Sequence, residues 1–362
     1  MSTTATPAQV RKRIDLAVLT DRWATVLAAF VVSRAIAVAS LVLGASESLD
    51  KITFGALASW DSAWYLVITV HGYGPPPVAG QQTPWPFFPL LPGLTRALTE
   101  VGLPAKAALI LITNLTFLLA LAGVYTLARR HTTSTGSAMA VWLVALFPMG
   151  VVFSMGYPSS IFLAATTWCI VALEQRHDGR AALLALLATG VRPNGALLLA
   201  AIVVGLVVKE RAWRRAAVIA APSAAFLVVW CLLLWRWTDD PFVFWTAKGA
   251  WDEVTIFEIL GGPKNGEIPH VIAGGLGIAA LVAWGRRMSF TWALYTVLYL
   301  APVLLLGVVG LGRYINECFP IFIASGAALA RWPAWTRTAL LVCSAAVMGL
   351  FGVMVARYRY LP

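Results

Sequence analysis

The chain has 362 residues, of which 60% are hydrophobic and 12% charged, with a formal net charge of +11. So small a charged share, with a mean hydropathy of +0.79, excludes a water-soluble globule, whose charged fraction is about a quarter. A polytopic membrane protein remains, and without a soluble basic domain or a nucleic-acid module the positive charge is no sign of nucleic acid.

Arg11-Lys12-Arg13 precede an apolar run from Ala24 to Leu43. The run outlasts a signal-peptide core of about 7–15 residues and holds Arg34 near its middle, so an uncleaved anchor is expected. Runs able to cross roughly 30 Å of hydrocarbon, about 20 residues as helix, then recur along the whole chain. Spans are predicted near 23–44, 105–128, 138–155, 159–174, 215–235, 269–285, 289–308, 315–330 and 337–356. Between Arg180 and Val208 the pattern is broken by Arg192-Pro193-Asn194-Gly195, with basic residues at both ends. One helix there would carry Lys209 to Arg215 to the wrong side of the membrane, whereas two half-helices meeting at the break return the chain to its starting side. A broken pair is therefore expected, lining a protein- or water-covered cavity, in an all-α polytopic membrane domain over 1–362 of about eleven spans.

Arg129-Arg130, Arg176 with Arg180, Lys209 to Arg215, Arg286-Arg287 and Arg331 with Arg337 fall in alternating short connections that can share one side with the N-terminus. That side is expected to be cytoplasmic. Two large loops, 45–100 and 236–268, then face outward together with the segment holding Arg313.

The first outer loop is the densest in chemistry. It reads Trp60-Asp61-Ser62-Ala63-Trp64-Tyr65, then His71-Gly72-Tyr73, then Pro84-Trp85-Pro86-Phe87-Phe88-Pro89-Leu90-Leu91-Pro92. Trp60, Trp64, Val67, Ile68 and His71 recur with a helical period, predicting an amphipathic interfacial helix with Asp61 and Tyr65 one turn apart on its flank. The Pro- and Phe-rich stretch predicts a rigid re-entry. On these residues alone Asp61 fits a solvated loop acid or a catalytic acid equally, and the rings fit an aromatic belt at headgroup level as well as a stacking platform. Cys169, Cys231, Cys318 and Cys343 form no CxxC pair and read as buried packing residues. His71, His131, His177 and His270 have no metal-ligand spacing, and no metal or other cofactor is expected. Asp239 and Asp240 read as a polar outer turn, with cation or sugar binding as the other possibility.

The loop resembles that of the PIG-V-type mannosyltransferases and their bacterial relatives. Those proteins carry Trp-Asp in the first non-cytoplasmic loop, Gly-Tyr about ten residues on, and Phe-Phe-Pro-Leu-x-Pro, here Trp60-Asp61, Gly72-Tyr73 and Phe87 to Pro92. Further matches follow in order: Phe153 to Ser160, with Pro158 and Ser159 where the family often has serine and glutamate; Arg192-Pro193-Asn194-Gly195; Asp240-Pro241-Phe242 with Trp251; and Arg313-Tyr314 with Phe319-Pro320.

The resemblance implies a GT-C glycosyltransferase that takes mannose from a polyprenyl-phosphate-mannose donor to a glycolipid or glycan acceptor on the non-cytoplasmic side, with inversion. It implies Asp61 as general base. The chemistry agrees, because an attacking hydroxyl must lose a proton and a carboxylate can accept it. Arg192 and Arg313 are the expected ligands of the donor phosphate, since a guanidinium fork holds two phosphate oxygens; an ion pair with Glu317 or another acid is the structural alternative. His71 can join them or cap the helix. Trp60, Tyr65, Tyr73, Asn194 and Tyr314 are candidate substrate contacts. A lipid-linked sugar transporter or flippase would use a broken helix and intramembrane arginines too, but would show inverted repeats, and the two halves of this sequence are not alike.

Overall fold

The computed structural model describes residues 7–45, 55–250, 268–284, 288–306 and 310–357. Trp251 lies outside them. Every described element is helical: α1 (Pro7–Gly44), α2 (Asp61–His71), α3 (Leu90–Glu100), α4 (Ala105–His131), α5 (Ser134–Leu146), α6 (Ser159–Glu174), α7 (Asp178–Val191), α8 (Gly195–Glu210), α9 (Trp213–Thr238), α10 (Val243–Thr246), α11 (Ile268–Trp284), α12 (Phe290–Leu306), α13 (Leu311–Glu317), α14 (Phe319–Leu329) and α15 (Ala334–Ala356). Short 3-10 turns cover Gly150–Ser154 and Ala247–Ala250.

Four described helices are long and apolar enough to cross a membrane: Thr20–Gly44 within α1, α4, α9 and α15. Five shorter apolar helices accompany them among the described residues, so the expected eleven spans are not confirmed, and several of the hydropathy windows hold turns. The 138–155 window holds the end of α5 at Leu146 and the 3-10 turn from Gly150, and the 315–330 window is cut at Cys318 between α13 and α14. Pro320 in the first turn of α14 starts a new helix there, since its missing N–H costs nothing at that position.

Helix α6 is the centre of the bundle, buried along nearly its whole length and packed between α4 and α7. Contact with α4 is close because Gly123 has no side chain: a Cβ there would come within 2.4 Å of Thr167 Oγ1. Small residues at such crossings let helix backbones approach where lipid supplies no hydrophobic drive.

The helix break falls where the sequence places it. Pro193 disfavours helical backbone at the residue before it, and Arg192 is extended at φ −154°, ψ 148°. Asn194 then opens α8 without a side-chain cap, and the Gly195 N–H donates to the Arg192 carbonyl at 3.0 Å. A Cβ on Gly195 would stand 2.4 Å from the Thr189 nitrogen and 2.5 Å from the Ala188 carbonyl carbon, so the two half-helices meet backbone to backbone. Gly195→Ala is expected to destabilise the protein by about 1–3 kcal/mol or more, as overpacking against immovable backbone does, read as a lowered apparent Tm in detergent. An unchanged Tm would show that the break can open to admit a methyl group.

Candidate active site

Asp61 opens α2, and the residue before it is strained. Trp60 sits at φ 58°, ψ −131°, a conformation that costs a non-glycine residue about 1–3 kcal/mol and persists only where its surroundings impose it. The surroundings are tight: Ala56, Leu57, Ala58 and Ser59 are all buried, and the Gly156 N–H donates to the Leu57 carbonyl at 2.9 Å. Gly72, at φ 75°, ends the helix, its N–H donating to the Ile68 carbonyl at 2.9 Å. The buried face of α2 is not the stripe read from the sequence. Ser62, Tyr65, Ile68 and Thr69 point inward while Val67 and Val70 are exposed. Small groups win that face because it lies against other chain segments at close range, as at Gly156, where an added Cβ would stand 3.2 Å from that of Ser62.

The Asp61 carboxylate meets Arg313 of α13, 252 residues away in sequence, with Nη1 donating to Oδ2 at 2.7 Å. Asp61 is 27% exposed and Arg313 11%. The Asp61 backbone N–H donates to the Tyr157 hydroxyl at 3.3 Å, and the Arg313 guanidinium lies 5.0 Å from the centre of the Tyr157 ring. Burial pushes the Tyr157 phenol well above its ordinary value, and the Asp61 charge adds to the rise, so Tyr157 stays neutral. The Arg313 Nε is buried and has no partner among the described residues, which leaves the guanidinium with an unused donor there.

Arg192 lies nearby but is committed elsewhere. Its Nη1 donates to Glu317 Oε1 at 2.7 Å and Oε2 at 2.5 Å, and its Nη2 to Ser159 Oγ at 3.3 Å. Tyr299 donates to the same carboxylate at 2.5 Å. Of the two expectations for Arg192, phosphate ligand or partner of Glu317, the structure shows the ion pair, with Glu317 wholly buried. Ser159 is the residue standing where the resembled family often has glutamate, and here the acid facing Arg192 comes from α13 instead.

Tyr314 joins the two arginine centres, its ring 5.5 Å from the Arg313 guanidinium and 5.6 Å from that of Arg192. Burial alone would raise the Tyr314 phenol, but Lys248, followed by Arg313 and Arg192, outweighs it and holds the group below its ordinary value. Lys248, on the 3-10 turn Ala247–Ala250, was not singled out in the sequence. Its signal was a cation three residues beyond Trp245 in the second outer loop.

Other expected site residues are not gathered here. His71 is exposed at the far end of α2, ten residues and so about 15 Å along the helix from Asp61. Tyr73 donates its hydroxyl to the Phe87 carbonyl at 2.7 Å and stacks its ring on Trp85 at 5.1 Å, which braces the loop. Tyr65 is buried, edge-on to Phe87 at 5.2 Å. Trp60 packs on the main core, and Asn194 stays at the half-buried start of α8.

The second loop is tied to the first by rings. Trp85, Phe88, Trp230, Leu234 and Val243 form a separate buried cluster, with Phe244 edge-on to Phe88 at 5.4 Å. Asp240 caps the turn, accepting from the Phe242 N–H at 2.8 Å and the Thr246 hydroxyl at 2.6 Å, so it is a structural acid rather than a free ligand. Arg34 pairs with no acid among the described residues; it donates to Asn114 and to the Gly150 carbonyl at 3.4 Å each and lies over Phe117. Of the cysteines, Cys343 is exposed rather than buried. No group of three metal-ligating side chains occurs among the described residues.

Solved structures share this arrangement of helices. The oligosaccharyltransferase of Archaeoglobus fulgidus, crystallised with zinc and sulfate, is 14% identical, with a TM-score of 0.55 over 92% of this chain and 53% of its own. The same organism's oligosaccharyltransferase AglB, in complex with an inhibitory peptide and a dolichol-phosphate, is 14% identical, with a TM-score of 0.53 over 93% and 56%. A form tethered to an acceptor peptide gives 0.51 at 14% identity. The chain has their fold. It spans a little over half the length of those proteins. No family model matches the sequence, and no curated protein matches it.

Proposed function

We propose that this chain is a membrane glycosyltransferase that moves a sugar, mannose by the sequence resemblance, from a polyprenyl-phosphate carrier to a lipid or glycan acceptor on the non-cytoplasmic side. The observation that carries the proposal is the Asp61–Arg313 pair, a partly exposed carboxylate and a mostly buried guanidinium brought together by elements 252 residues apart.

Each partner has a task. Asp61 Oδ2 is held by Arg313, which leaves Oδ1 to accept the proton of an acceptor hydroxyl as its oxygen attacks the anomeric carbon. The bond from that carbon to the phosphate oxygen breaks, its electron pair stays on the phosphate, and the configuration inverts. Arg313, with Nε unused, stabilises the charge that grows on the leaving phosphate. Tyr157 fixes the start of α2 from below, and Tyr314 presents a ring face beside Arg313. Arg192 and Glu317 hold the break against α13 and touch neither substrate.

Two further lines support the reading. The shared fold includes an archaeal oligosaccharyltransferase solved with a dolichol-phosphate, a lipid phosphate of the class the scheme requires. In addition, the Trp-Asp, Arg-x-Asn-Gly and Arg-Tyr motifs of the PIG-V-type resemblance converge in space, at Asp61, Arg192 and Arg313. The testing experiment offers purified protein a set of radiolabelled polyprenyl-phosphate sugars with a panel of lipid and glycan acceptors. Transfer from polyprenyl-phosphate-mannose with inverted configuration is expected. Absence of transfer from every lipid-phosphate sugar, by folded protein, would overturn the proposal.

A further inference from the structure

Arg34 stands in the middle of a membrane-crossing helix without an acid beside it among the described residues. It lies about 15 Å along α1 from Gly44, at one end of the apolar stretch Thr20–Gly44, and about 21 Å from Thr20 at the other. Its Nε is buried and has no partner among the described residues. A cation at such depth is costly, and one that is kept there without a counter-charge marks a functional demand.

What Arg34 holds is one short piece of backbone, the 3-10 turn Gly150–Ser154, and it holds it in three ways. Nη2 donates to the Gly150 carbonyl at 3.4 Å. Nη1 donates at 3.4 Å to Oδ1 of Asn114, whose amide in turn donates to the Ser154 carbonyl at 3.3 Å. The guanidinium also lies 4.4 Å from the centre of the Phe117 ring, which stacks on Phe153 of the turn with centroids 4.4 Å apart. The turn needs this support because it follows a helix that stops inside the bundle. Helix α5 ends at Leu146, and Gly150 folds back on it so closely that an added Cβ would stand 2.9 Å from the Ala145 carbonyl oxygen. The last carbonyls of a helix lack partners within it and carry the negative end of its dipole, and a cation suits them where water does not reach.

Beyond the turn the chain runs straight into the active site. The Gly156 N–H donates to the Leu57 carbonyl, and Tyr157 accepts the Asp61 N–H at 3.3 Å with its ring centre 5.0 Å from the Arg313 guanidinium. Ser159, at the other end of the segment, accepts from Arg192 at 3.3 Å. Tyr157 is therefore slung between two arginine anchors.

We propose that Arg34 is a positioning residue for sugar transfer: through the Gly150–Ser154 turn it sets the place of Tyr157, and so of Asp61 against Arg313. The inference rests on the assignment of Asp61 and Arg313 to the chemistry. A base and the carbon under attack tolerate little misplacement, and a shift of about 1 Å caused far from the reacting atoms can cost on the order of 10²-fold in rate. Arginine suits the task because its planar fork serves a carbonyl and an amide oxygen together while its face lies on a ring; the single ammonium of lysine does not.

The test is a double-mutant cycle on kcat for transfer from polyprenyl-phosphate-mannose by the purified full chain, with apparent Tm in detergent measured on every variant. Arg34→Met keeps the packing of the stem and removes the donors, and Tyr157→Phe keeps the ring and removes the hydroxyl that accepts from Asp61. Each is expected to lower kcat per folded molecule about tenfold with little change in donor KM, and the double variant to lose hardly more than either single one. Arg34→Lys, which keeps one donor, is expected to lose about threefold; if Arg34→Met does not fold, the cycle is run with Arg34→Lys, whose loss must likewise vanish on the Tyr157→Phe background. Unchanged kcat in the Arg34 variant overturns the proposal, even with a lowered Tm, since that pattern marks a role in the fold alone. Full kcat in Tyr157→Phe, or losses that multiply in the double variant, also overturn it, because Arg34 then does not act through Tyr157. All of these outcomes leave the assignment of Asp61 and Arg313 standing; if the wild-type protein transfers sugar from no lipid phosphate, that assignment falls and this one with it.

Discussion

Asp61→Asn is expected to lower kcat for sugar transfer by about 10²–10⁴-fold, the usual worth of a positioned general base, with little change in the KM for donor or in apparent Tm. Asparagine keeps the size of the side chain and a carbonyl that can accept from Arg313, so the ion pair becomes a neutral hydrogen bond while α2 and its strained Trp60 entry stay in place. What disappears is proton affinity at Oδ1. A purely structural Asp61 would give the opposite pattern, lowered Tm with turnover per folded molecule preserved. Turnover within about threefold of wild type, in protein shown to be folded, would remove Asp61 from the chemistry.

The parts of this molecule that could be read from sequence are those fixed by local chemistry. The break at 192–195 is of that kind: proline restrains the residue before it, glycine alone fits the backbone contact after it, and no distant partner is needed to foresee the result. The start and end of α2 were nearly as legible, because Gly72 stops a short amphipathic run. Its buried face was not. Hydropathy favours tryptophan over serine, yet close packing beside Gly156 puts Ser62 and Thr69 inside. The turn inside the 315–330 window was hidden for a related reason, since an apolar window does not show that Cys318-Phe319-Pro320 interrupts it.

Long-range charge pairing was the least legible feature. Arg192 and Arg313 carry the same charge in similarly apolar surroundings, and nothing local tells which acid each one meets, Glu317 or Asp61. The answer depends on contacts 125 and 252 residues apart. His71 was drawn toward the site by loop proximity, but a helix of eleven residues separates its two ends.

The second large effect concerns stability and distinguishes the two arginines. Glu317→Ala leaves the Arg192 guanidinium, 8% exposed, without its counter-charge, and removal of one partner from a buried pair costs about 3–5 kcal/mol. Arg192→Ala is expected to cost a similar amount, because Glu317 would keep only the Tyr299 hydroxyl as a donor. Replacing both, as Arg192→Met with Glu317→Leu, should recover most of the loss, since packed apolar groups of like volume replace a buried ion pair at little cost. The measurement is apparent Tm in detergent for the three variants, with polyprenyl phosphate affinity on whichever remains folded. Near-wild-type affinity in the double variant would place Arg192 in the scaffold that joins the helix break to α13, holding Arg313 and Tyr314 toward Asp61. A double variant that regains its Tm yet loses phosphate binding about tenfold would instead return Arg192 to the donor site. Single variants as stable as wild type would mean that water reaches this pair, contrary to its burial.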